Sequence, residues 1–188
     1  WNIFANLKLS YGHCDGMAST SLRYYTDLDT FPGFDSLYQL SEGNNVQITW
    51  HGETFTTSVR RNIAYFFVEQ LTPPVSEYKD LVRQSTPAQI LEQLIAAISN
   101  DVSDPTTLFI RQEGEGGHAV TPYAISDLGY GIYWIWVYDN NHPGKVNQHV
   151  VIDVYNNTWN YDLGSTTWSG DVSTDTFGIV PISLYDQQ

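Results

Sequence analysis

Cysteine is nearly absent from this chain: Cys14 stands alone among 188 residues, so an internal disulfide framework is excluded. The thiol that remains is either a small buried hydrophobe or a reactive group. Basic residues are scarce too. Eight Lys and Arg stand against 21 Asp and Glu, a formal net charge of -13, and that field repels phosphate backbones and anionic lipid. Nucleic acid and anionic membranes are therefore poor partners. No apolar run reaches the roughly 18 residues of a membrane-spanning helix, so no transmembrane segment is expected. The chain starts at Trp1 rather than Met, as a processed or trimmed product would. What is abundant is apolar material: 41% hydrophobic and 14% aromatic residues suffice for the core of one domain over residues 1–188. A composition rich in Tyr, Trp, Thr, Asn and Gly and poor in Lys resembles that of secreted bacterial domains, so a secreted or cell-surface location is expected.

Two kinds of pattern divide the chain. Up to about residue 104 the periodicity is helical. After the loosely alternating stretch Trp1–Leu9, Met17, Leu22 and Tyr25 recur at helical spacing, which predicts a helix from about Cys14 to Asp27 with the cysteine in its first turn. Phe31-Pro32-Gly33 and Glu42-Gly43-Asn44-Asn45 read as loop. A second helix is predicted from about Thr57 to Leu71, ending at Pro73-Pro74. A third opens on the capping-box arrangement Thr86-Pro87-Ala88-Gln89 and continues through Ile90, Leu91, Leu94, Ile95 and Ile98. From about residue 105 the runs are short and rich in β-formers: Thr107–Arg111, His118–Ile125, Tyr130–Tyr138, Gln148–Tyr155, Thr158–Leu163 and Gly178–Leu184. Helices first and strands second predict an α+β domain, its N-terminal helices packed on a C-terminal antiparallel sheet and its site at the seam.

That layout gives Cys14 a chemical setting. A helix N-terminus and a nearby imidazolium both stabilise a thiolate, and Cys14 sits where a helix begins, with Gly12 and Gly16 permitting a tight entry and close packing. A base must come from elsewhere. Glu113-Gly114-Glu115-Gly116-Gly117 delivers His118 to the mouth of an apolar strand. The next strand, Tyr133–Tyr138, ends at Asp139-Asn140-Asn141, so pairing of the two would bring Asp139 or Asn140 to the His118 ring.

Cysteine, then histidine at a strand start after glycines, then Asp or Asn at the end of the following strand, on a helix-then-sheet layout, resembles the papain-like cysteine peptidases in the broad sense, including the leader peptidases of bacterial export systems. The resemblance rests on Tyr11–Ala18, Gly116–Tyr123 and Val137–Gly144. It implies a papain-like fold in which Cys14 attacks a carbonyl of a peptide or protein substrate, His118 shuttles the proton and Asp139 orients His118, with no cofactor. Two positions depart from the family's pattern. Lys8 stands where a glutamine commonly donates to the oxyanion, which leaves Asn6 or Lys8, beside the Cys14 N–H, as substitutes. Asp15 follows the cysteine and places a negative charge beside the thiolate unless it points away.

Other roles compete for these residues. His13 adjoins Cys14 but points elsewhere at a helix entry, which fits a wall of the site better than a base. His13, Cys14, His118, His142 and His149 lack the short spacings of a zinc site. The Asp-rich loops offer oxygens to calcium without a pattern that locates a site. Trp134 and Trp136 share one face of their strand, mainly as packing, and Trp136 is a candidate for a substrate wall. Two further readings keep the same residues: an acyl transferase of the transglutaminase or arylamine acetyltransferase type, in which an amine intercepts the thioester, and an inactive papain-like binding module.

Overall fold

The computed structural model describes residues 13–26, 44–50, 53–99, 104–172 and 176–186. Helix α1 (Cys14–Thr26) comes first, followed by a hairpin of β1 (Asn45–Trp50) and β2 (Glu53–Ser58). Helices α2 (Val59–Glu69), α3 (Pro73–Val82) and α4 (Pro87–Ser99) then lead into the strands β3 (Thr106–Gln112), β4 (Gly116–Asp127), β5 (Ile132–Tyr138), β6 (His149–Asp153), β7 (Thr158–Asp162), β8 (Thr167–Asp171) and β9 (Phe177–Pro181). A 3-10 turn over Ile182–Asp186 closes the described chain. The protein is thus α+β, with an antiparallel sheet in the order β8-β7-β6-β5-β4-β3-β9. That sheet curls: Trp168 Nε1 on β8 donates to Glu115 Oε2 at 2.7 Å and Ser169 N to Gln112 Oε1 at 3.1 Å, so its far strand returns to the β3–β4 turn.

The differences from expectation have local causes. Residues 45–58, read as loop and helix start, form the β1–β2 hairpin, and α2 begins only after Ser58, whose Oγ caps the Arg61 N–H at 3.2 Å. Pro73-Pro74 ends no helix but opens α3, because proline at the first helical positions gives up only N–H groups that have no helical acceptor. Helix α4 starts as its capping box predicts: Gln89 N donates to Thr86 Oγ1 at 3.2 Å and Thr86 N to Gln89 Oε1 at 2.8 Å. Strand β5 begins two residues late because Tyr130 (φ 54°) and Gly131 (φ 76°) turn the chain through left-handed conformations. Strand β8 has too little apolar character to stand out from its neighbours, and the run after Pro181 winds into the 3-10 turn. Phe31-Pro32-Gly33, Glu42 and Gly43 lie outside the described residues.

Aliphatic and aromatic side chains fill the space between helices and sheet. Phe66, Val75, Ile90, Leu91 and Leu94 meet Leu108, Ile110, Val120, Ile135, Val150 and Ile152, with Trp159 and Tyr161 buried at the β7 end. Helix α1 is buried in another way. Of Met17, Leu22 and Tyr25, which recur at helical spacing, Leu22 is buried and Tyr25 exposed, and Asp15, Gly16, Ala18, Ser19, Thr20 and Ser21 are enclosed as well. Small residues let it approach closely, and hydrogen bonds hold it there: Thr121 Oγ1 on β4 donates to Ala18 O at 3.1 Å and meets Ser21 Oγ at 2.8 Å, while Asn62 Nδ2 on α2 donates to Thr20 Oγ1 at 3.3 Å.

Gly16 marks the tightest approach. A Cβ there would lie 2.0 Å from Ile63 O, which belongs to α2 and cannot yield without bending the helix. Replacing Gly16 by Ala is expected to destabilise the protein by about 2–3 kcal/mol, read as a lower urea midpoint at constant slope. An unchanged midpoint would mean that α1 and α2 do not meet at this point.

Candidate active site

Strand β4 receives its histidine through a turn that requires glycine. Gly114 (φ 79°) and Gly116 (φ 114°) adopt backbone conformations that L side chains avoid, and the turn sends Gly117 and His118 up alongside β3. On the other side, the register Thr121↔Tyr138 carried one residue on sets Asp139 opposite Val120 and so diagonal to His118, two positions away on the same face. The two side chains meet: His118 Nε2 donates to Asp139 Oδ1 at 2.8 Å, with both groups buried. Asn140 does not take this place, and neither its Oδ1 nor its Nδ2 has a hydrogen-bond partner.

Asp139 has no exposure to solvent and compensates with donors. Besides His118, Oδ1 accepts from Asn141 N at 2.8 Å, and Oδ2 accepts from Tyr161 Oη at 2.6 Å and lies 3.2 Å from His142 Nδ1. Burial alone would raise this carboxyl's pKa, but the His118 hydrogen bond and charge, then Tyr161 and Asn141, hold it well below the usual range. Burial likewise pulls His118 down, and the hydrogen bonds and charges of Asp139 and Cys14 outweigh it, so the imidazole is pushed up to about 9. Tyr161 is raised by burial and by Asp139, which keeps its proton available for the carboxylate.

Cys14 supplies the third group. It is the first residue of α1, where the N–H groups have no helical acceptor, and its Sγ lies 3.9 Å from Gly117 O, one residue before His118. With Nε2 committed to Asp139, Nδ1 is the ring nitrogen left for the sulfur. The thiol is only partly buried and opens on a cavity bounded by Phe67 of α2 and Gln70 just after it, Lys79 of α3 and Arg83 just after it, and Phe109 and Arg111 of β3. His13 is exposed, its ring 4.9 Å from that of Phe67, so it borders the site without touching the His118–Asp139 pair.

Asp15 is engaged by other groups. Its Oδ2 accepts from Lys79 Nζ at 2.6 Å and its Oδ1 from Tyr185 Oη at 2.7 Å, in a buried triad linking α1, α3 and the C-terminal turn. The carboxylate expected to oppose a thiolate is thus offset by a cation. Trp136 is placed differently from expectation: it packs against Trp134 and His149 and donates to Ser126, away from the residues that line the Cys14 cavity. The alternation of β5 puts it on the opposite face from Ile135 and Val137, the buried side. Asn6 and Lys8 lie outside the described residues. Among the described residues no three His, Cys, Asp or Glu side chains converge as metal ligands.

Tyr161, Lys79 and Tyr185 carry no local sequence signal. Each reaches the site across the fold, 22, 64 and 170 positions from its carboxylate. No protein-family model matches this chain, and searches of curated proteins and of solved structures find no match either.

The His118–Asp139 pair makes stability pH-dependent with a definite sign. Because the folded state holds the His118 proton more tightly than the unfolded chain, its contribution is complete below about pH 6.5 and is lost as pH rises through about 9. Asp139 acts oppositely: its folded-state value is lowered, so its contribution is present above the ordinary carboxylate range and lost as pH falls through the lowered value. Asp139→Asn is expected to cost about 3 kcal/mol at neutral pH and to flatten the decline between pH 6.5 and 9. Urea titrations across that window, with the His118 ring followed by NMR, measure both. A variant that keeps the wild-type slope would show that Asp139 does not hold the His118 proton.

Proposed function

We propose that this protein is a cysteine-type amide hydrolase of papain-like kind, with Cys14 as nucleophile, His118 as general base and acid, and Asp139 as the residue that orients His118. The observation that carries the reading is that a partly buried thiol at a helix N-terminus and the His118 imidazole border one cavity, and that this imidazole is bonded in turn to a fully buried carboxylate. A structural histidine needs no such relay to a cavity.

The arrangement supports the following course. His118 takes the proton of the Cys14 thiol, leaving a thiolate stabilised by the imidazolium and the α1 N-terminus. The thiolate attacks the substrate carbonyl, and the oxyanion is met by N–H groups of the first turn of α1, which have no helical acceptor. The carbon–nitrogen bond breaks as His118 returns the proton to the leaving amine, and a thioester remains on Cys14. Water then attacks the thioester while His118 accepts its proton, the carbon–sulfur bond breaks and the thiol is restored. Throughout, Asp139 holds Nε2 of the ring and so leaves Nδ1 for the sulfur, and Tyr161 and Asn141 fix Asp139. Asp15 takes no part, because Lys79 and Tyr185 occupy both of its oxygens.

Cys14→Ala is expected to abolish turnover of a peptide library together with labelling by iodoacetamide, and His118→Ala to lower kcat/KM by about 10²–10⁴. Turnover should also decline as pH rises through about 9, where the imidazolium that protonates the leaving amine is lost. Unchanged turnover in Cys14→Ala would overturn the reading. If a fluorescent amine is instead incorporated into a glutamine-containing peptide without net hydrolysis, the acceptor is an amine rather than water.

A further inference from the structure

The chain carries eight basic residues in all, and three of them, Lys79, Arg83 and Arg111, line the cavity beside Cys14. Their charges are not equally spent. Lys79 is neutralised by Asp15. Arg83 shares Nη1 with Asp80 at 3.1 Å, but that carboxylate is largely exposed, and the buried Arg83 Nε–H has no acceptor. Arg111 is exposed and has no carboxylate partner among the described residues. Glu115, close by in sequence, is turned to Trp168. Among the described residues Asp15, already offset, is the one carboxylate in the lining.

An aromatic ring organises these cations. Arg83 Cζ lies 5.6 Å and Lys79 Nζ 5.8 Å from the centre of Phe109, so the ring gathers both in the lining of the cavity that Cys14 and His118 also border. A guanidinium with unspent donors, in a partly desolvated recess, is suited to a carboxylate, which accepts from its planar fork.

We propose that this recess binds a carboxylate of the substrate, so that the enzyme acts on amides with a negative charge close to the scissile bond: an Asp or Glu side chain, or a free C-terminal carboxylate. The proposal rests on Cys14 being the nucleophile, and the test separates the two claims. Iodoacetate and iodoacetamide alkylate the same sulfur and differ in one carboxylate, and Cys14 is the only thiol. The absolute rate with iodoacetamide, against a peptide spanning Ser10–Ala18, reports thiol activation; a rate no faster than the peptide's removes the nucleophile reading. The iodoacetate-to-iodoacetamide ratio reports the recess.

That ratio is expected to exceed the peptide's despite the acidic chain, to fall about fivefold in Arg111→Gln, and to fall about tenfold or more when Arg83→Gln is added. It should drop towards the variant values at about 1 M NaCl, where the screening length is about 3 Å. Arg61→Gln, an exposed position remote from the recess with the same change of charge, should leave it unaltered. A wild-type ratio no higher than the peptide's, or one insensitive to Arg111→Gln while iodoacetamide still reacts fast, overturns the carboxylate site and leaves the nucleophile standing. Paired substrates then name the source. Preference for Glu over Gln beside the cleaved amide assigns a side chain, preference for a free over an amidated terminus assigns a C-terminal group, and indifference in both pairs overturns the proposal.

Discussion

A carboxylate withdrawn from water stays ionised only if fixed donors replace the water it has lost, and Asp139 is withdrawn completely. Its replacements come from three places: the ring of His118 on β4, the phenol of Tyr161 on β7, and the Asn141 amide of its own loop. Strands β5 and β6 lie between β4 and β7 in the sheet, so one carboxylate spans four strands only because the sheet curls. The curl is closed at its other end by Trp168 and Ser169 reaching the β3–β4 turn, the same turn that delivers His118. The geometry of the site and the curvature of the sheet are therefore one constraint. A flatter sheet would carry Tyr161 away from Asp139 and leave a buried anion with fewer donors.

A second buried carboxylate sets the position of the sulfur. Asp15 follows Cys14 directly, and its bonds to Lys79 and Tyr185 fix the first turn of α1 against α3 and the C-terminal turn. Ser21 and Thr20 secure later turns to β4 and α2. Beside the buried Ala18, Leu22 and Tyr24, the helix whose N-terminus would stabilise a thiolate is thus held by polar contacts along its length. Such contacts have fixed directions, and they tolerate less sliding than hydrophobic packing does. A nucleophile that must stay aligned with a ring on another element gains from that rigidity.

Which parts of this were legible in sequence follows from the range of the interactions. His118 and Asp139 could be paired in advance because they flank consecutive antiparallel strands joined by a short turn, and strand alternation then decides the face. The capping box at Thr86 and Gln89 was legible for a similar reason, being complete within four residues. Asp15 read as an obstacle because its compensating partners, Lys79 and Tyr185, are brought to it by the fold alone. Helix α1 was legible in its span and only partly in its face: of Met17, Leu22 and Tyr25, which matched helical spacing, Leu22 is buried and Tyr25 exposed, and beside Leu22 the enclosed Gly16, Ala18, Ser19 and Ser21 make close contact through smallness rather than hydropathy. Pro73-Pro74 was ambiguous in principle, since proline serves equally after one helix and at the start of the next. Trp136 looked like a cleft residue on chemistry alone, and the pleat turned it to the other face.

Charge behaves differently at long and short range here. At distances beyond a screening length of about 8 Å the net charge of -13 decides what approaches, and it disfavours anions. Inside the recess the balance is local among the described residues: Asp15 is cancelled by Lys79, Arg83 shares the exposed Asp80, and Arg111 has no carboxylate partner. An anionic group that enters meets a positive surface it could not sense from afar. Such an arrangement accelerates no encounter but lengthens the stay of the bound group, so selection of this kind lies in dissociation and orientation rather than in capture. It also separates two requirements that a cysteine nucleophile otherwise sets against each other, because the cations that would hold a substrate carboxylate add to the field favouring the thiolate.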